Sequence, residues 1–529
     1  MALISCAQVL AQQPSGVVSN DFTNYRFSFI ENRYSWVGSL NPAGLLDFKY
    51  KSLSIGLVNY NHKNGELKNY FESNNSSEFR VGCKSLYRFN DKVVTLGSIS
   101  YTNFTGREMS GSVFINPYSR PFDIVDFNSS TEGAKNLELY NLKGAVAVAL
   151  LRDLDFGASI EFNSANYAKM KDLRYKTSYS KLNASLSLRY SPFSSFFIGA
   201  GYSFLQEVEG IVFSFYGVEN ILYRELVSFG GFWGVSSTYS DISHNFIKNS
   251  RQPFIELSHK ISAQLSYTIL ERLTLFMEGY YSKSSGFYGL KNTSSVVHCE
   301  NENSLYGINS TLLYKLYNTN HKIGFNYSNY AVDNYRTVWR SQNTGSGGTS
   351  EVVYFDPLKV GMITQKNYSV NYRGDIAIDN MTPKWQINAK YNLYKRNIFS
   401  TIYPYYRSQK LTSTTYTASL LRNIKYFNNI FTVSFGGGYR SGDGLKFSDG
   451  TYATPSEDMI APKSSNEMLQ REWDFLTASQ YKINPMLRYS YLLDAKTEVY
   501  IEANYSYLNA FQLKSMNQHS LIFSIGCNF

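Results

Sequence analysis

QHSLIFSIGCNF, residues 518–529, ends the chain and carries the reading of its fold. Counting back from Phe529, the residues Cys527, Ile525, Phe523 and Leu521 are apolar at every second position. Asn528, Gly526, Ser524, Ile522 and Ser520 fill the other face and are mostly small or polar. A repeat of two is that of a β-strand, whose successive side chains point to opposite faces, so this strand has one apolar and one wet face. A soluble sheet could carry it as a half-buried edge. The same alternation recurs through the rest of the chain, however, and any account has to cover all of it.

The chain has 529 residues, a length that ordinarily suggests about three domains, yet no linker, charge block or low-complexity break separates them. One large closed sheet is the simpler account. Tyr (45) and Phe (36) dominate the 16% aromatic content, which suits strands with aromatic girdles at two interfaces. Mean hydropathy is −0.30, and no apolar run of about 18 residues is present to form a transmembrane helix. A barrel needs none, because the lumen-facing half of each strand is polar. Cys6, Cys83, Cys299 and Cys527 lie far apart, without CxxC spacing or a histidine pair nearby, which argues against a metal site and a disulfide framework.

A chain that stops on an aromatic at the end of such an alternation resembles outer-membrane β-barrels, whose terminal strand carries the assembly signal. The resemblance implies Leu521, Phe523, Ile525 and Phe529 as that signal, the barrel-assembly machinery and outer-membrane lipid as partners, and the cell outer membrane as location. Richness in Tyr, Asn and Ser resembles uncharacterised barrels of Bacteroidota. At the other end, MALISCAQVLA (residues 1–11) reads as the back half of a secretory signal with cleavage after Ala11. LISC, Leu3 to Cys6, also resembles a lipoprotein box, although the residues after it continue the signal pattern.

Residues 12–44 do not alternate throughout and read as a segment ahead of the barrel proper, residues 45–529. They end in NPAGL, Asn41 to Leu45, which resembles the start of fatty-acid-transporter-like barrels, where an asparagine-proline-alanine motif belongs to a hatch inside the lumen. That resemblance implies hatch roles for Asn41, Pro42 and Gly44. The alternative is a plain turn, since Asn-Pro favours turn initiation and Gly44 allows positive φ.

Short connections fall near Asn90-Asp91, Arg152-Asp153, Ser191-Pro192, Leu270-Glu271, Asn318-Thr319, Met381 to Pro383, Asn423 to Asn428 and Leu493 to Ala495. With the flanking strands they give an all-β, closed antiparallel barrel of about 18 strands, or 16 as fallback. Strands are expected to start near 45, 78, 92, 136, 154, 178, 196, 253, 272, 304, 321, 365, 384, 410, 429, 479, 496 and 518. The longest connections, roughly 105–135, 208–252, 287–303, 332–364 and 441–478, would be extracellular. They hold PYSRP (117–121) and GSGG (345–348), and at least one is long enough to fold over or into the pore.

Parity then assigns faces. Arg80, Lys84, Arg88, Lys181, Arg189, Lys260, Arg373, Lys384, Lys390, Arg440, Lys482 and Arg488 point inward, as do Glu161, Glu256, Glu278, Glu498 and Glu502. About a dozen basic groups face roughly five acidic ones, and a positive lumen would pass carboxylated or phosphorylated solutes. The competing reading has these cations paired with lumen acids and a hatch. The net charge of +10 fits both.

No P-loop, GxSxG or HExxH occurs, and the six histidines are scattered. His259 alone stands out, on the outward face with Ile255, Leu257 and Ile261, where an interfacial lipid enzyme would hold its base; a histidine without chemistry is the plainer reading. Dispersed cations argue against nucleic-acid binding despite a pI near 9.0. The expectation is therefore a channel or facilitated transporter for polar, anionic small solutes, without cofactor and not an enzyme. The alternatives are a non-conducting partner of a larger outer-membrane complex and a hydrophobic-solute transporter with a hatch.

Overall fold

The computed structural model describes residues 25–217, 222–239, 246–270, 272–292, 295–343, 350–379, 381–494, 497–514 and 516–529. The signal segment and the GSGG run lie outside these residues. Eighteen antiparallel strands follow one another around a closed barrel. The first, Ser52–Asn64, pairs with the second, Asn75–Asn90, and with the last, Asn517–Asn528. Closure leaves no edge, so every strand finds hydrogen-bond partners on both sides, as a hydrocarbon environment demands.

The hydropathy of the wall is inverted relative to a soluble barrel. On Asn75–Asn90, Phe79, Val81, Tyr87 and Phe89 are exposed while Arg80 and Lys84 are buried; on Arg174–Phe193, Leu186 and Leu188 are exposed while Asn183, Ser185, Ser187 and Arg189 are buried. Outward tyrosines gather at one level, in pairs such as Tyr101–Tyr140 and Tyr327–Tyr368 (both 4.9 Å between ring centroids), Tyr391–Tyr416 (5.2 Å) and Tyr481–Tyr507 (5.9 Å). Phe79 and Phe89 lie on this outer face roughly 33 Å apart along the strand, or about 25 Å of height once the strand is tilted, the thickness of an outer-membrane apolar band.

The first strand starts at Ser52, not near 45, because Pro42–Asp47 forms a 3-10 helix. The strands expected near 304 and 365 begin at Ser295 and Ser350, so 287–303 and 332–364 are mostly strand. Likewise the first residues of 441–478 continue Asn429–Thr451. In these stretches apolar side chains stand on both faces, as with the adjacent buried Val296 and Val297 and with exposed Phe355 and buried Val360, so hydropathy stops alternating while the ladder of backbone hydrogen bonds continues. The connections 170–173 and 403–404 at the loop end are also tight, so short and long connections do not alternate strictly.

Both ends of the lumen are occupied. At the end of the short turns lies the N-terminal segment, helix α1 (Tyr25–Arg33) and the 3-10 helix. Phe27, Phe29, Ile30, Val37, Leu45, Leu46 and Phe48 pack on Leu53, Ile55, Leu57, Leu86, Val94, Leu96 and Ala147 of the wall. The inward face there is apolar, against the general rule of the barrel, because it is covered by protein. At the loop end a second sheet of four strands is assembled from three loops: Asp123–Asp126, Arg224–Ser228, Trp233–Thr238 and Lys463–Ser464. Helix α2 (Asn466–Thr477), N-capped by Ser465, adds Met468 and Leu469 to Tyr70, Phe71, Tyr118, Val125, Leu226 and Phe232. This cap seats on the wall through Phe114, Phe122, Ile124, Val227 and Phe229, which meet Leu137, Tyr167, Phe213, Phe254 and Tyr288.

Candidate permeation site

The N-terminal segment is fastened by side chains that sequence parity places inward. Arg26 meets Glu498 at 2.7 Å, with both side chains nearly inaccessible. Glu31 on α1 pairs with Lys84 at 3.1 Å, and the Lys84 ammonium also lies 4.6 Å from the Phe27 ring centroid. Arg88 donates to the carbonyls of Leu46 (2.6 Å) and Phe48 (2.9 Å). Arg189 bridges Asp47 (2.6 Å) and Asp155 (2.7 Å) and stacks over Trp36. Arg80 donates to Thr102 Oγ1 at 3.1 Å. The Arg80, Lys84, Arg88 column is thus engaged with the wall and the segment.

Asn41 is the centre of the NPAGL seat. Its Oδ1 accepts from Ala43 N, capping the 3-10 helix, while its Nδ2 donates to the Leu188 carbonyl (2.9 Å) and Gln264 Oε1 (3.0 Å). Pro42 takes the first helical position, where its missing N–H costs nothing. Gly44 is there for space and not for positive φ: a Cβ would stand 2.2 Å from the Trp36 carbonyl oxygen. The wall is cut away to match, since a Cβ on Gly157 would lie 2.0 Å from Ala43 N and one on Gly199 2.7 Å from Asn41 Nδ2.

The segment packs on one side of the barrel and leaves the other open. Between α1 and the strands from Leu273–Asn292 round to Glu498–Ala510 lies a cavity of about 810 Å³. Amides and hydroxyls dominate its lining, including Asn309, Asn326, Asn371 and Ser369. Its charged groups are Lys322, Arg373, Lys390 and Lys482 against Glu31 and Glu278. Of the cations named from sequence, then, Arg373, Lys390 and Lys482 reach the cavity. Lys260 lies 5.9 Å from the Tyr280 ring, Lys181 is 3.9 Å from Glu207, and Arg488 Nε donates to Glu502 at 2.8 Å.

The cap is bound to the wall by ion pairs that sequence reading missed. Arg120 of PYSRP contacts Glu207 (2.7 Å) and Glu209 (2.6 Å) of the strand Phe196–Ser214. Arg396 of the wall makes a bidentate pair with Glu472 of α2 (2.8 and 2.6 Å). Asp126 holds Lys169 of the wall at 2.9 Å and Arg407 of the wall donates to the Gly231 carbonyl at 3.0 Å, while within the cap Arg471 holds Glu132 at 2.9 Å. Glu207 and Glu209 share a strand face in the sequence, which was the available signal; that a loop arginine would fill the place between them was not. Two cap carboxyls are shifted toward their protonated form by their surroundings. Burial pushes Asp123 up to about 7, and burial followed by the charge of Asp126, directly opposite in register, pushes Glu225 well above the ordinary range.

On the closing strand, Leu521, Phe523, Ile525 and Phe529 all face outward and are exposed. Phe523 lies between Tyr60 and Ala503 in register, and Phe529 exchanges backbone hydrogen bonds with Ser54 (2.7 and 3.0 Å). His259 also faces outward, with its Nδ1 2.7 Å from the Tyr202 hydroxyl.

An inverted, girdled and closed wall of this kind defines an outer-membrane β-barrel, here with a segment inside one end and a cap of loops over the other. Within that class the chain belongs to a family of unknown function, DUF6850, which matches residues 42–529. No curated protein matches it. Similar solved structures include the RagAB peptide transporter (7% identity, TM-score 0.41, covering 91% of this chain and 87% of that one). Others are the outer membrane transporter YddB from Escherichia coli (6%, 0.40, 91% and 81%) and a mutant of the ferric enterobactin receptor PfeA from Pseudomonas aeruginosa (8%, 0.40, 91% and 81%).

Proposed function

We propose that the protein is a gated outer-membrane channel that passes polar small solutes and prefers anions. The observation that carries this reading is the polar cavity beside the N-terminal segment, lined by Lys322, Arg373, Lys390 and Lys482 with two carboxylates among amides and hydroxyls. A wet lining that binds weakly at many points suits passage, because a solute must be able to leave as well as enter. The cap closes the outer mouth and has to move before a solute reaches the cavity. The NPAGL segment serves as the seat of an internal hatch, and the terminal strand as the assembly signal. A hydrophobic solute, which the NPAGL resemblance implied, would find only Phe276, Tyr372 and a few aliphatic side chains in this lining.

The test is reversal potential under a salt gradient for the purified protein in a planar bilayer, native and with Lys390→Gln and Lys482→Gln together. Both substitutions exchange a polar cavity group for another, so the fold is retained and selectivity moves toward cations. An anion preference that does not move would remove these lysines from the path.

A further inference from the structure

The outer wall carries a group of cations that the channel reading does not use. Lys366, on the strand Ser350–Asp379, stands directly opposite Lys395 on Thr382–Ile402, and one step further from the short turns Asn397 stands opposite Lys410 on Tyr405–Tyr426. Their sequence neighbours Gln365, Asn367, Arg396, Gln409 and Leu411 are buried in the interior, so alternation turns all three lysines outward. Like charges facing each other across a strand pair repel. Among the described residues the lysine ion pairs involve other lysines, and the carboxylate nearest in register on this face is Asp443, opposite Thr412.

The level of the group is equally specific. It lies just beyond the outward tyrosines of the same strands, Tyr368, Tyr391 and Tyr416, on the side away from the short turns; at about 3.3 Å per residue this is roughly 7 to 20 Å along the strand. Tyrosine girdles mark the boundary between acyl chains and headgroups. Each lysine therefore has its stem along the apolar wall and its ammonium at headgroup depth, on the loop side of the membrane. Thr364, Asn397 and Thr412 surround them with further hydrogen-bonding groups.

We propose that Lys366, Lys395 and Lys410 bind the phosphate groups of a phosphorylated glycolipid in the outer leaflet. A multiply charged phosphate relieves the repulsion within the group, and lysine meets phosphate as a point charge without a fixed fork geometry. The position against the acyl-chain boundary commits the site to a membrane lipid, since a soluble anion would gain nothing from the wall below it.

The test uses the full chain in detergent, native and with Lys366→Gln, Lys395→Gln and Lys410→Gln combined. Each is incubated with bis-phosphorylated lipid A or with its phosphate-free form, and bound lipid is read by native mass spectrometry. Expected is at least roughly tenfold more phosphorylated lipid on the native protein than on the triple variant, little of the phosphate-free form on either, and no displacement by inorganic phosphate at the lipid's concentration. Because the substitutions remove a repulsive pair from an exposed face, heat-modifiability is retained; the single Lys395→Gln protein, with an intermediate loss, provides a second reading. Equal retention by native and variant proteins, equal binding of the phosphate-free lipid, or displacement by inorganic phosphate would each overturn the proposal.

Discussion

At Gly44 and Gly157 single hydrogens decide whether the N-terminal segment can seat. A Cβ at Gly44 would stand 2.2 Å from the Trp36 carbonyl oxygen and one at Gly157 2.0 Å from the Ala43 nitrogen, and both obstacles are backbone that cannot rotate away. Overpacking of this kind costs about 1 to 3 kcal/mol. Gly157→Ala should therefore loosen the segment while the barrel stays assembled, seen as faster tryptic cleavage at Lys49 and Lys51 with normal heat-modifiability. Unchanged cleavage would show that the seat does not depend on this gap. Asp123 sets a pH dependence at the other end. Its folded pKa of about 7 lies above the ordinary value near 3.9, so the closed cap binds a proton that the opened cap releases. Stability from this group is full at low pH and is lost as pH rises from about 4 through 7. Glu225, shifted in the same direction, adds to the trend. Amide exchange in Asp123–Asp126 and Arg224–Ser228 should be slower, after correction for intrinsic rates, at pH 5 than at pH 8. Asp123→Asn should weaken that contrast, and protection independent of pH would rule the mechanism out.

Among the elements, the cap depends most on Arg120 and α2. Removing the Arg120 guanidinium leaves buried Glu209 without its cation and Glu207 with Lys181 at 3.9 Å, and breaking a buried pair in this way costs roughly 3 to 5 kcal/mol. On intact cells, protease should cut the native protein first in the exposed run 452–462; the Arg120→Ala protein should also be cut within 110–132. Equal patterns would mean that the cap is held by its apolar seat alone. The closing strand makes a separate prediction. Phe523 faces lipid between Tyr60 and Ala503, so Phe523→Asp places a charge in the apolar band and should leave the barrel unassembled and heat-modifiability lost. The strands were legible in the sequence because lipid on one side and water or protein on the other impose a period of two, as at Leu521, Phe523 and Ile525. Where lipid ends the signal ends too, and Ser295–Leu316 and Ser350–Asp379 were cut short for that reason. The cap strands were invisible: Asp123–Asp126 and Lys463–Ser464 are short, and they pair with segments about a hundred residues away or further.

For the whole molecule, parity placed the cations inward and could not show what each would meet. Arg80, Lys84, Arg88 and Arg189 share a parity with Lys390 and Lys482, yet the first four engage the wall and the N-terminal segment while the last two face the cavity. The difference is which side of the lumen the segment fills, a property of packing over three hundred residues of separation. What results is a barrel with a seated segment at one end, a tied cap at the other and a wet passage alongside the segment. Single-channel recording of the native protein beside an Arg120→Ala, Glu472→Ala protein, whose cap has lost its arginine clamp and its tie to Arg396, tests this arrangement most directly. Expected is a native protein that is closed or opens rarely, and a variant that opens steadily with an anion-favouring reversal potential. A native conductance already as large as that of the variant, or a variant that stays silent after protease accessibility shows its cap released, would contradict a channel gated by these loops.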